Sequence, residues 1–127
     1  MEIKDFCKGI QHVGIPTNDI DKTVRFYERL GFYVAWATKE RTPRVVFLQL
    51  NDLVIETYEE TAMMKSGAID HVALDVKDID ALYEVVKAQG FHLLSDQVES
   101  LPFWDKGVKF FLILGPNQER IEFCERL

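Results

Sequence analysis

The sequence predicts an α+β fold made of two β-α-β-β-β modules in tandem, and three observations carry that prediction. The phrase Ile10-Gln11-His12-Val13-Gly14-Ile15 returns as Ile69-Asp70-His71-Val72-Ala73-Leu74, which sets His12 and His71 59 residues apart. The same offset lays Asp19-Ile20-Asp21 on Asp78-Ile79-Asp80 and Gly31-Phe32 on Gly90-Phe91 without a gap. A repeat that long is a duplicated architectural unit. Third, each half closes on a strand pattern with a lone carboxylate in an apolar run, Val54-Ile55-Glu56-Thr57-Tyr58 and Arg120-Ile121-Glu122-Phe123. The chain of 127 residues is then a single domain built of two repeats, at about 8–58 and 68–127.

In the first repeat, residues 8–16 alternate as a short strand with Ile10, His12, Gly14 and Pro16 on one face, and Val13 and Ile15 on the other. Thr17-Asn18-Asp19 offers capping oxygens to a helix with Ile20, Val24, Tyr27 and Leu30 on its apolar side. Gly31 ends that helix. Residues 32–37 and 45–50 read as strands around a turn at Arg41-Thr42-Pro43, and Asn51-Asp52 is a hairpin signal leading into a strand at 53–58. Residues 59–67 form the linker. The second repeat follows with a strand at 69–76, a helix at 78–89 burying Ile79, Leu82, Val85 and Val86, and strands at 91–94, 108–114 and 120–125. Its extra length falls at 96–106, a loop with Leu101-Pro102-Phe103-Trp104, expected either to wall a site or to cover the core.

Composition narrows the function. An apolar content of 47% and a charged content of 28% are ordinary for a globular chain. A net charge of −6 with no Lys/Arg cluster excludes a phosphate-backbone partner, so no nucleic acid is expected. No apolar run approaches ~18 residues, so no membrane span is expected. The first residues carry acids and no apolar core of a signal peptide, which points to the cytoplasm. There Cys7 and Cys124 are expected to stay free thiols.

The strand periodicity turns Ile55, Ile121 and Phe123 toward the helices and therefore turns Glu56 and Glu122 to the opposite, concave face, where His12 and His71 also point. A carboxylate facing an enclosed concavity is costly unless it is paired or binds a cation. Two imidazoles and two carboxylates make a mixed N/O set suited to a divalent metal. Taken singly, each of these residues is more often structural or solvent-facing. Their equivalence in both halves favours a joint metal site of His12, Glu56, His71 and Glu122. His92 has no counterpart and reads as a surface residue.

With those four residues in place, the chain from about residue 8 onward resembles the vicinal oxygen chelate superfamily, and within it bacterial glyoxalase I, the lactoylglutathione lyases. Gly115-Pro116-Asn117 and the Phe26-Tyr27 and Leu30-Gly31 pairs are also family-like. The resemblance implies the glyoxalase/bleomycin-resistance/dihydroxybiphenyl dioxygenase-like fold, with concave mixed sheets enclosing the metal. It implies one divalent ion per site, Ni²⁺ or Zn²⁺ with Co²⁺ or Mn²⁺ as alternatives, a small-molecule substrate and a homodimer. The implied reaction converts the thiol hemithioacetal of an α-ketoaldehyde to a 2-hydroxyacyl thioester by proton transfer through an enediolate, with Glu122 as base and Glu56 as the other acidic ligand. Glutathione-dependent members carry an Arg and an Asn where this chain has Pro16 and Glu60, so the grip on a glutathione carboxylate that the resemblance would imply is missing and glutathione is expected to be a poor thiol partner. A methylmalonyl-CoA epimerase-like enzyme is the next reading, although those enzymes carry Gln at the place of Glu56. A metal-free drug-binding protein with a pocket lined by Trp36, Phe47, Phe103, Trp104 and Phe111 is the alternative from another class.

Overall fold

A computed structural model describes residues 2–6, 8–39, 43–65, 67 and 69–127. Cys7 and the Arg41-Thr42 part of the expected turn lie outside the described residues. The chain divides into two compact units, Met1–Ala62 and Met63–Leu127.

After a short 3-10 turn at Ile3–Phe6, the first unit runs β1 (Val13–Thr17), α1 (Ile20–Arg29), β2 (Tyr33–Ala37), β3 (Val45–Leu50) and β4 (Leu53–Glu59). Its four-stranded sheet has the order β1-β4-β3-β2. β1 lies parallel to β4, and the other pairs are antiparallel. The second unit runs β5 (Val72–Asp75), α2 (Ile79–Ala88), β6 (His92–Leu93), β7 (Glu99–Leu101), β8 (Val108–Leu114) and β9 (Arg120–Arg126). Its sheet repeats the plan as β5-β9-β8-β6, with β5 parallel to β9 and β7 added on β8. The expected α+β class and the duplicated β-α-β-β-β order are both present. Among the described residues no helix is long and apolar enough to cross a membrane.

The helices pack where the apolar periodicity sends them. α1 buries Ile20, Thr23 and Tyr27 against the sheet side that carries Leu48, Ile55 and Thr57. Asp19 caps it, its carboxylate accepting from the Lys22 amide at 3.0 Å. Gly31 follows the C-cap Leu30 with φ +104°, a conformation that costs glycine little. α2 buries Ile79, Tyr83 and Val86, with Phe111 edge-on to Tyr83 at 5.1 Å and tilted against Phe123 at 4.9 Å. The expected buried set is corrected at two positions. Leu82 is half-buried, and Val85 is 50% exposed because the packed stripe follows the spacing 79, 83, 86 and Val85 lies a third of a turn off it.

α2 is also capped differently. Asp78 sits at φ 52°, a left-handed conformation that Asp tolerates, and makes no side-chain cap. Glu125 on β9 takes over, accepting from the amides of Asp78 at 3.3 Å and Ile79 at 3.1 Å. The loop expected at 96–106 contains β7, so its first part is sheet. Its tip places Trp104 over the guanidinium of Arg126, 4.0 Å from the ring centroid.

Candidate functional site

The strands begin later than the alternation suggests. β1 starts at Val13, paired with Ile55, and β5 starts at Val72, paired with Ile121. Carried back from Val13, the register sets His12 beside Val54 near the start of β4, and carried back from Val72 it sets His71 beside Arg120, the first residue of β9. His12 and His71 each stand on the residue immediately before a strand, at equivalent places.

In the first unit the ring of His12 meets the carboxylate of Glu56, with Nε2 to Oε1 3.5 Å. Glu56 is opposite Gly14 on β1 and Phe47 on β3, and the three lie on the face away from α1. Phe47 packs edge-on against His12 at 5.7 Å and against Trp36 at 6.1 Å. Tyr58 covers Gly14: a Cβ there would stand 3.6 Å from its ring and 3.9 Å from Glu56 Oε1. The other ring nitrogen of His12 hydrogen-bonds Gln11 Oε1 at 3.0 Å.

The second unit repeats the arrangement. His71 Nε2 stands 3.8 Å from Glu122 Oε1. Glu122 is opposite Ala73 and Leu112, on the face away from α2. His71 Nδ1 donates to Asp70 Oδ2 at 2.9 Å, and the Arg120 guanidinium approaches the same oxygen, Nε at 3.7 Å. The His71 hydrogen bond holds the Asp70 carboxyl below the usual carboxylate range, with the Arg120 and His71 charges adding to it and partial burial opposing. Cys124, two residues along β9, is a free thiol paired in register with Asp75. Burial pushes its ionisation up, and the charges of Glu122 and Asp75 push in the same direction.

The strand parity of Glu56 and Glu122 is as expected: Ile55 and Thr57, like Ile121 and Phe123, are buried on the helix side. Two donors at about 2.1 Å from one ion stand roughly 3.0–3.5 Å apart, so each His/Glu pair has close to the spacing of neighbouring ligands. On each ring the second nitrogen is already engaged, which leaves Nε2 turned to the carboxylate. That is how metal-binding imidazoles are held. The donor set and its orientation therefore fit a divalent ion. Among the described residues no three or more His, Cys, Asp or Glu side chains are grouped as a ligand set. His92 lies exposed on β6 and takes no part in either pair.

Of the aromatic residues expected in a pocket, Trp36 and Phe47 do lie on the His12 face. Phe111 is a correction. It is 0% exposed on the helix side of its sheet, because residue 111 has the parity of Phe123, its partner in register. Phe103 and Trp104 are exposed on the β7–β8 loop. The sequence reading passed over Gln11 and Asp70, although the repeated phrase puts an oxygen-bearing side chain before each histidine.

Known proteins resemble the chain along nearly its whole length. The uncharacterized protein YwbC of Bacillus subtilis (strain 168) is 28% identical over 132 aligned residues, covering 94% of this chain and 99% of that protein. A solved glyoxalase family protein from Enterococcus faecalis superposes with a TM-score of 0.77 at 22% identity, covering 94% and 99% of the two chains. The fosfomycin resistance protein FosX from Listeria monocytogenes, solved with Mn(II) and sulfate, superposes at 0.74 with 15% identity, covering 95% and 94%. At those identities the two structures establish the fold alone. The sequence model of the Glyoxalase/Bleomycin resistance protein/Dioxygenase superfamily matches residues 9–123. Two mixed sheets of duplicated order, a family model spanning both repeats and solved neighbours with the same fold agree, and the chain belongs to that superfamily, the vicinal oxygen chelate proteins.

Proposed function

We propose that this chain is a divalent-metal-dependent, glyoxalase I-like lyase that moves a proton alpha to a carbonyl. Its substrate is the hemithioacetal of an α-ketoaldehyde with a low-molecular-weight thiol, and its product a 2-hydroxyacyl thioester. One observation carries the reading: each unit presents an imidazole Nε2 beside a carboxylate oxygen, at 3.5 Å and 3.8 Å, with the opposite ring nitrogen already hydrogen-bonded. The occurrence of Mn(II) in FosX supports a divalent ion on this fold.

In this proposal His12, Glu56, His71 and Glu122 together hold one ion, Ni²⁺ or Zn²⁺, and the chain works as a homodimer. When bound, the ion supplies Lewis acidity that polarises the substrate carbonyl. Glu122 takes and returns the proton, a role that favours the more enclosed carboxylate. Its side chain is 17% exposed, against 27% for Glu56. Trp36 and Phe47 supply the aromatic surface on the His12 side. Pro16 and Glu60 offer no cation to a glutathione carboxylate, so glutathione should be a poor thiol partner.

Elemental analysis of the purified protein should find about one divalent ion per chain. Stoichiometric metal retained after replacing all four residues by Ala would overturn the site. The protein loaded with Ni²⁺ or Zn²⁺ should form thioester from methylglyoxal with at least one small thiol. If no thiol adduct or CoA thioester exchanges its α-proton with solvent, the lyase and epimerase readings both fall and metal-free binding takes their place. Sedimentation should give a species of twice 14.7 kDa.

A further inference from the structure

We propose that Asp70 is a positioning residue that locks His71 in the Nδ1–H tautomer and makes it the stronger metal ligand of the two histidines, while Gln11 leaves His12 unlocked. The ligand part of this proposal rests on the metal reading above; the tautomer part does not.

Donors and acceptors decide which ring nitrogen carries the proton. An ionised carboxylate only accepts hydrogen bonds, so the 2.9 Å contact between Asp70 Oδ2 and His71 Nδ1 requires the proton to sit on Nδ1. Nε2, which faces Glu122 at 3.8 Å, is then the lone-pair nitrogen. A side-chain amide carries both an acceptor and a donor at nearly the same place. Gln11, 3.0 Å from His12 Nδ1, can accept from that nitrogen or, turned over, donate to it. The equivalent contact in the first unit therefore fixes no tautomer.

A hydrogen bond between exposed neighbours in sequence is easily lost to water, and Asp70 has a second hold. Arg120 begins β9, and its Nε is buried, has no hydrogen-bond partner, and lies 3.7 Å from the same Asp70 oxygen. The guanidinium's charge keeps the carboxylate turned back toward His71. A carboxylate behind an imidazole also makes its other nitrogen a stronger donor, as in the carboxylate–histidine–metal arrangement.

The test uses the full chain in two arms. In the metal-free protein at pH about 8, above the ordinary imidazole range, ¹⁵N-detected correlation of the histidine rings reads the tautomers directly. His71 should show the Nδ1–H pattern alone and His12 a mixture. Asp70→Asn should convert His71 to a mixture, Asp70→Glu should restore the single pattern at least in part, and Gln11→Glu should impose the Nδ1–H pattern on His12. In the second arm, Ni²⁺ titration should find affinity reduced roughly 10- to 100-fold by Asp70→Asn, the usual cost of losing such a partner. Gln11→Ala should cost less and Gln11→Glu should tighten binding. A wild-type His71 with its proton on Nε2, or an Asp70→Asn protein with unchanged tautomer and Ni²⁺ affinity, overturns the proposal. If the wild-type chain takes up no Ni²⁺, the metal reading falls and the ligand part with it. The ring spectra then still decide whether Asp70 orders His71.

Discussion

The two units carry the same pair of side chains at the same places and support them by different means. In the first, the imidazole leans on a ring: Phe47 stands edge-on to His12, Trp36 lies beyond it, and the polar neighbour is a neutral amide. In the second, support comes from charge, through Asp70 and Arg120 behind His71, and Cys124 and Asp75 share the face of Glu122. Duplication has kept the positions that present donors and let their surroundings diverge. The first face is apolar and aromatic around its His/Glu pair, and the second is polar and charged.

The sharpest way to break this comparison is to remove one acid at a time. Glu122→Gln should lower the rate of α-proton exchange, followed by NMR in deuterated buffer, by on the order of 10²-fold or more while the protein stays folded. Glu56→Gln should cost less, and an equal loss would mean that the two faces are functionally interchangeable. Next in size is the ring support. Phe47→Ala should destabilise the protein by about 1–3 kcal/mol in chemical denaturation, since it removes a half-buried ring with two aromatic contacts.

The helix caps give a smaller, opposed pair of effects. Asp19→Ala should cost about 1 kcal/mol, whereas Asp78→Ala should cost much less because Asp78 makes no side-chain cap. Glu125→Ala should fall near the Asp19 value, since Glu125 serves α2 in its place. The smallest change exchanges one unit's residue for the other's. Gly14→Ala copies Ala73, and the added Cβ would meet only ordinary van der Waals contacts. It should leave stability unchanged or raise it by roughly 0.5 kcal/mol in thermal unfolding.

Much of this architecture is legible in the sequence because it is written twice. The repeated phrase aligned both histidines, and the two-residue period of a strand sent Glu56 and Glu122 to the face away from the helices. The same rules went astray where a partner distant in sequence decides. β1 and β5 begin just after His12 and His71, later than the alternation suggests, so both histidines stand at the strand starts rather than inside the strands. Phe111 was grouped with pocket aromatics because spacing alone did not set the register of β8 against β9. Val85 fits an apolar helix stripe as well as Tyr83 does, and only the packed ring of Phe111 separates them. Asp70 and Gln11 stood in plain view beside the histidines, but the part assigned to Asp70 depends on Arg120, fifty residues further on.

Strand β9 carries two glutamates on opposite sides, Glu122 toward the His71 face and Glu125 toward the first turn of α2. The start of α2 is therefore closed by a carboxylate 47 residues further along the chain, so the helix start is tied to the sheet rather than to its own N-cap residue. In an exchange experiment, Glu125→Ala should quicken deuterium uptake at the amides of Asp78 and Ile79, since it frees both donors at once.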